Sequence, residues 1–134
     1  MDVGTLPGFV AEDDDGDGPW LGYATFEARD GAMEIAVMQS LAPGRGIGSA
    51  LIDECAREAA RQDLERLWLV TTNDNTRALR FYQRRGFVLV AVHRDAVTYA
   101  RRTLKPEIPL TGEDDIPIRD EIELELPRDA WPRT

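Results

Sequence analysis

The sequence predicts a single mixed α/β domain, and three observations predict it. The first third reads as a meander of short strands divided by turn signals. A glycine-rich turn then opens an amphipathic helix that leads into a near-continuous apolar run, as a parallel crossover requires. The last third alternates apolar and charged residues with the period of a strand. At 134 residues the chain is long enough for one real core and short for two.

The elements follow in order. Gly8 to Glu12 ("GFVAE") and Trp20 to Phe26 ("WLGYATF") read as strands, with the acidic "DDDGDG" between them as a hairpin loop. Asp30-Gly31 suits a second hairpin turn, because both positions tolerate positive φ, and "MEIAVM" follows as the third strand. Ile47, Leu51, Cys55 and Ala59 recur at helical spacing, and Ala50, Ile52 and Ala56 broaden their stripe. Asp53, Glu54, Arg57, Glu58 and Arg61 take the opposite face. Arg66 to Thr72 ("RLWLVTT") reads as a strand buried on both faces. "NDNTRALRFYQRRGF" supplies a cap, a helix and a Gly86 stop, and "VLVAV" the next strand. A further helix, "DAVTYARRTLK", is closed by Pro106. In "IRDEIELELP", Ile118, Ile122, Leu124 and Leu126 point one way and Arg119, Glu121, Glu123 and Glu125 the other.

Composition narrows the function classes. A net charge of −9 argues against a nucleic-acid partner, which needs clustered Lys and Arg, and is compatible with a cationic substrate. The lone Cys55 excludes an internal disulfide and a cysteine zinc cluster, and no metal is expected. No charged start leads into an apolar run and no stretch approaches a membrane span, so the cytoplasm is the expected location.

The chemistry centres on "LAPGRGIGSALIDECAREAARQ". A helix start offers unpaired N–H groups and the positive end of the helix dipole, and glycines let the backbone approach an anion closely. The dinucleotide fingerprint fails, because Ser49 stands in the last glycine place counted from Gly44. A P-loop fails for want of a lysine.

What remains resembles the GNAT superfamily of acyl-CoA-dependent N-acetyltransferases. Gly44-Arg45-Gly46-Ile47-Gly48-Ser49-Ala50 supplies the x-x-G-x-G part of the family's Q/R-x-x-G-x-G/A signature, while Pro43 replaces the leading Q/R. "NDNTRALRFYQRRGF" is similar to the second family segment, with Asn75, Ala78, Tyr82, Gly86 and Phe87 in its places. The resemblance implies a GNAT-like mixed, mostly antiparallel twisted sheet with helices on both faces. Only six residues precede Pro7, so the family's first strand and its one or two helices are expected to be absent. Residues 94–117 stand out as a family-atypical helix and loop insertion. A partner subunit or that insertion is left to close the acceptor wall, and an exposed sheet edge leaves room for a homodimer.

The same resemblance implies acetyl-CoA as co-substrate and direct transfer of acetyl to a primary amine of a small molecule or peptide. The backbone around Gly44, Arg45, Gly46, Ile47, Gly48 and Ser49 would cradle the coenzyme pyrophosphate, and Val37, Met38 and Gln39 would pair with the pantetheine amides. Asn75 would face the coenzyme arm, although an ordinary helix N-cap explains it as well. Tyr82 is the candidate general acid for the leaving thiolate, with a packed core aromatic as the other reading. Glu34 is the candidate base, its pKa raised by desolvation, and a salt-bridged or edge-exposed glutamate near the hairpin is equally open. Arg119 and Asp120 are placed near the acceptor on weaker grounds, since a loop-to-strand transition also accounts for them. A coenzyme-binding module without turnover, and a catalyst with another acyl group, are the rival functions.

Overall fold

The computed structural model describes residues 6–12, 16, 18–42 and 44–132. Six strands, β1 (Gly8–Ala11), β2 (Gly22–Arg29), β3 (Ala32–Ser40), β4 (Arg66–Thr72), β5 (Val88–His93) and β6 (Glu121–Glu125), form one sheet in the order β1-β2-β3-β4-β6-β5. The β1–β2, β2–β3 and β5–β6 ladders are antiparallel and β3–β4 is parallel. Among the described residues three α-helices accompany it: α1 (Ile47–Arg61), α2 (Thr76–Arg85) and α3 (Ala96–Thr103). This is the mixed, mostly antiparallel sheet that the sequence predicts. By packing, the chain divides into two compact units, residues 1–68 with 126–134, and residues 69–125.

In the first unit, Asp30 and Gly31 turn the β2–β3 hairpin with φ of 55° and 81°, so the Asp-Gly signal is realised in full. The α1 stripe is Leu51, Ile52, Cys55, Ala56 and Ala59, all buried, whereas Ala50 is exposed at the stripe's edge. Met33, Ile35 and Leu67 complete the core beneath it. Gly22 is what lets α1 sit there. A Cβ at Gly22 would stand 2.6 Å from Ile47 Cγ2 and 2.8 Å from the Gln39 carbonyl oxygen.

Two expectations change here. The division of β3 into Met33, Ile35, Val37 on one face and Glu34, Ala36, Met38 on the other holds only as far as Ile35. Thr25 pairs with Val37 and Phe26 with Ile35, so Ala36 is an extra residue, a bulge that breaks the alternation. Leu67 in this unit is buried, but its neighbour Trp68 is only half-buried and lies under the Arg66 guanidinium, 5.0 Å from the ring. A strand buried on both faces does not describe that segment.

In the second unit, Gly86 closes α2 with φ of 114°, as its glycine stop predicts. Leu69, Phe87, Val97 and Leu124 are buried. Strand β6 begins at Glu121, three residues later than the alternation from Ile118 suggests. The Asn73 side chain explains the delay: its Oδ1 accepts from the backbone N–H of Arg119 at 2.9 Å and of Asp120 at 2.8 Å, and its Nδ2 donates to the Pro117 carbonyl at 2.8 Å. Those groups are then spent on a loop clasp, leaving none for a ladder.

The Gly22 contact yields a test. Gly22→Ala forces Ile47 or the β3 backbone aside and is expected to lower stability by about 1–3 kcal/mol; urea denaturation measures it, and an unchanged midpoint would contradict the close approach.

Candidate active site

The first unit carries the coenzyme-loop candidates. After Ser40 the chain passes Gly44 and Gly46, both left-handed with φ of 82° and 70°, and enters α1 at Ile47. Nothing lies within 4 Å of a Cβ built on either glycine, so the loop is open on that side. Gly46 is the N-cap and no side chain caps the helix, while the first turn holds no acid. The first turn of α1, Ile47, Gly48 and Ser49, therefore lies at the positive end of the helix dipole with no side-chain cap over it. Arg45 is exposed beside them. Pro43, where the family signature has Q/R, lies outside the described residues, as do Asp13 to Asp15 and Asp17 of the acidic loop.

Val37 and Met38 are half-buried and Gln39 is exposed, its side chain accepting from the Tyr23 hydroxyl at 3.0 Å. They follow the bulge. The β3–β4 ladder joins Ala32, Met33 and Glu34 to Arg66, Leu67 and Trp68 and ends there, so Val37 to Gln39 lie beyond its last rung. Through Gly22, the Gln39 carbonyl and Ile47 are brought to the same spot, which ties the β3 end to the glycine loop. Glu34 sits on that last rung, half-buried, opposite Glu27 on β2 and Trp68 on β4. Paired strands on both sides rule out the edge-exposed reading for it. Cys55, by contrast, is fully buried, and desolvation together with the Glu54 charge pushes its thiol up to about 12. It stays protonated and is no nucleophile at neutral pH.

The second unit carries the other candidates. Asn75 caps α2, its Oδ1 accepting from the Ala78 N–H at 3.2 Å and its Nδ2 donating to Thr71 Oγ1 at 3.3 Å. The ordinary cap is thus realised. Tyr82 lies seven residues on, about two turns, and so on the same helix face. Its ring packs against Phe81 and Phe87 at centroid distances of 5.5 and 5.4 Å, and burial raises its phenol pKa above 10.0. A raised phenol remains neutral and suits a proton donor better than a base. The same helix presents Arg77, Arg80 and Arg84 around a cavity of about 450 Å³ that Phe81 and Arg85 also line. Their spacing in "TRALRFYQRR", three and four residues apart, puts them on one surface, a signal that the sequence carries without any family motif.

Arg119 and Asp120 act as a clasp. The buried Asp120 carboxylate accepts from Arg119 Nε at 3.0 Å and from the Asp95 backbone N–H at 2.8 Å. The Arg119 guanidinium thereby holds that carboxyl below the usual carboxylate range. His93 pairs with Glu123 at 2.9 Å and stays exposed. Among the described residues no group of three or more His, Cys, Asp or Glu could hold a metal, and no helix is long and apolar enough to cross a membrane.

The family model described as "Acetyltransferase (GNAT) family" matches residues 4–87, which include the glycine loop, Asn75 and Tyr82. The chain belongs to the GNAT acetyltransferase family. It is 42% identical over 117 residues to the uncharacterized protein YdhI of Bacillus subtilis (strain 168), covering 87% of this chain and 71% of YdhI. Among solved structures, the IAA acetyltransferase of Bacillus cereus ATCC 14579 superposes with a TM-score of 0.69 at 25% identity, over 81% of this chain and 71% of that one. A Bacillus subtilis acetyltransferase in complex with CoA gives a TM-score of 0.72 at 21% identity, over 88% and 74% of the two chains, which speaks for the fold. This GNAT chain is accordingly an acetyltransferase, and the mixed sheet is the family's own.

The clasp has a pH signature. Because the folded Asp120 pKa lies below the ordinary 3.8, its contribution to stability is present above that value and is lost as pH falls through the folded pKa. Asp120→Asn is expected to melt below the wild type at about pH 6, with the gap closing below pH 3.8; melting curves across that range check it.

Proposed function

We propose that this GNAT acetyltransferase moves an acetyl group directly from acetyl-CoA to a primary amine of a small molecule or peptide. The uncapped, acid-free start of α1 behind two left-handed glycines carries the reading. The positive end of its dipole and the open space beside Gly44 and Gly46 fit a diphosphate. Arg77, Arg80 and Arg84 add a positive surface suited to further phosphate on the coenzyme. Val37 to Gln39, beyond the last rung of the β3–β4 ladder, suit pairing with the pantetheine amides.

Acetyl-CoA supplies the activated thioester. Glu34, directly or through a water, takes the proton of the acceptor ammonium so that the nitrogen lone pair attacks the thioester carbon. Backbone N–H groups of β3 are the donors for the developing oxyanion. As the C–S bond breaks, the Tyr82 hydroxyl gives its proton to the thiolate, and the second proton that the amide nitrogen sheds passes through water to restore the phenol, leaving the proton on Glu34 for release to solvent. The burial that keeps Tyr82 neutral supports this direction of transfer, and the buried, protonated Cys55 speaks against a cysteine acyl-enzyme.

Two measurements test the reading. Acetyl-CoA at about a hundred times its Kd should stabilise the fold by about 2.7 kcal/mol; no rise in melting temperature at saturation would sink coenzyme binding, and binding without thiol release for any amine would leave a coenzyme-binding module. Tyr82→Phe should lower kcat by about a hundredfold with coenzyme affinity unchanged. In the wild type the alkaline limb of kcat should lie above pH 10.0, and an unaltered rate in the variant removes Tyr82 from the mechanism.

A further inference from the structure

Apart from the coenzyme loop, the first unit holds a cavity of about 260 Å³ over β1 and β2. Leu6, Gly8 and Val10 line it from the β1 side, and Trp20, Tyr23 and Thr25 from the β2 side. Gly8 stands opposite Thr25 and Val10 opposite Tyr23, so the four residues share one face of the sheet. Thr25 is 2% exposed and forms the floor, whereas Val10 and Trp20, each 42% exposed, form the rim. A Cβ at Gly8 would collide with the Ala24 carbonyl oxygen and stand 3.0 Å from Thr25 Cα. Position 8 therefore admits only glycine, and no side chain fills the space across from Thr25. The walls are fixed as well. The Phe26 N–H donates to the Pro7 carbonyl at 2.9 Å and the Leu21 N–H to the Ala11 carbonyl at 2.7 Å, closing the β1–β2 pair at both ends. The Tyr23 hydroxyl donates to Gln39 Oε1 at 3.0 Å, and the Trp20 ring stands 6.3 Å from the Tyr23 ring at 58°.

The floor carries the decisive atom. Among the described residues, Thr25 Oγ1 is the one buried side-chain polar atom without a hydrogen-bond partner. Leaving such a group unsatisfied is costly, so its presence at the bottom of a cavity calls for a partner from outside the chain. A hydroxyl both donates and accepts, and one hydroxyl serves one polar group. No charged side chain lines the cavity among the described residues, so an ionised ligand would lose its hydration there without compensation. The volume lies below the range of about 300–1,000 Å³ typical of drug-sized ligands, and the tilted Trp20 and Tyr23 rings suit a third ring against them.

We propose that this cavity binds an uncharged molecule of one aromatic ring bearing a single hydrogen-bonding group, its ring against Trp20 and Tyr23 and its polar group on the Thr25 hydroxyl. The inference does not rest on the acetyl-transfer reading, and no coenzyme takes part in its test.

Amide chemical-shift titration of the full chain provides that test, using 4-methylphenol, toluene, which lacks the hydroxyl, and 4-methylbenzoate, which is charged. The phenol is expected to bind at least about tenfold more tightly than the other two. The shifts should centre on Gly8, Val10, Tyr23 and Thr25. Thr25→Val keeps the shape and removes the hydroxyl. It should bring 4-methylphenol to the level of toluene, leave toluene unchanged, and unfold in urea at a midpoint no lower than that of the wild type. Trp20→Ala, at the exposed rim, should weaken phenol and toluene alike. Several outcomes would overturn the inference: toluene or 4-methylbenzoate binding as tightly as 4-methylphenol, a phenol preference that survives in Thr25→Val, or shifts centred elsewhere. A lowered midpoint in Thr25→Val would overturn it too, because the hydroxyl would then be partnered within the fold. So would unchanged affinities in Trp20→Ala, or no binding by any of the three up to their solubility.

Discussion

The first unit depends on one close approach, the packing of the α1 start against β2 that Gly22 permits. Ile47 is the first residue of α1, so fixing its side chain between Gly22 and the β3 end fixes the direction of the helix's first turn. The direction of that turn decides where the positive end of the helix dipole points. Gly46 then completes the arrangement by being a poor cap. A Ser or Asp N-cap would stabilise the helix by about 1 kcal/mol, but its oxygen would occupy the donors. With a left-handed glycine at the N-cap that stability is forgone, and no side chain covers the helix start. Burial of Leu51, Ile52, Cys55, Ala56 and Ala59 makes that sacrifice bearable, because α1 is held by its apolar face and not by its end.

The second unit solves the opposite problem. None of the residues of α2 is fully buried, so packing holds this helix less than α1. It is held at its ends instead. Asn75 caps the start with its own side chain, Arg84 and Arg85 complement the dipole in the last turn, and Gly86 closes it. A helix secured in this way keeps its lateral surface for other uses, and in a chain of net charge −9 that surface is the arginine-lined one. Asn73 does the same for the loop 117–120, using one amide to satisfy two N–H groups and a carbonyl that no strand serves.

What was legible in the sequence follows the range of the interactions. The Asp30-Gly31 turn, the α1 stripe, the Asn75 cap and the Gly86 stop are decided within a few residues, and each is found where its local chemistry puts it. The bulge at Ala36 is not local: it depends on the β2 register, which composition does not encode. Neither is the need for glycine at position 22, which is set by Ile47, twenty-five residues away by numbering. The late start of β6 comes from Asn73 acting across 46 and 47 residues on Arg119 and Asp120. The period-two pattern from Ile118 to Leu126 continued through those residues because alternation reports which face a side chain would take, and says nothing of whether the backbone donors are already engaged. The candidate site was legible by motif, in Gly44 to Ser49 and in Asn75 and Tyr82, all within the family match over residues 4–87, whereas the carbonyls that Arg101 gathers lie 7, 8 and 17 residues along the chain and form no motif.

The reactive side chains illustrate why burial alone does not name a role. Desolvation raises both Cys55 and Tyr82, the same physical effect on two weak acids. For a thiol, whose usefulness lies in its anion, the shift to about 12 is disabling. For a phenol that must hold a proton until a thiolate departs, the shift is enabling, because the neutral form persists across the physiological range. At neutral pH the Tyr82 phenol therefore keeps its proton, and the chain's one thiol, Cys55, keeps its own. The proposed direct transfer draws on both residues, and on one physical cause acting twice: burial that keeps each proton in place.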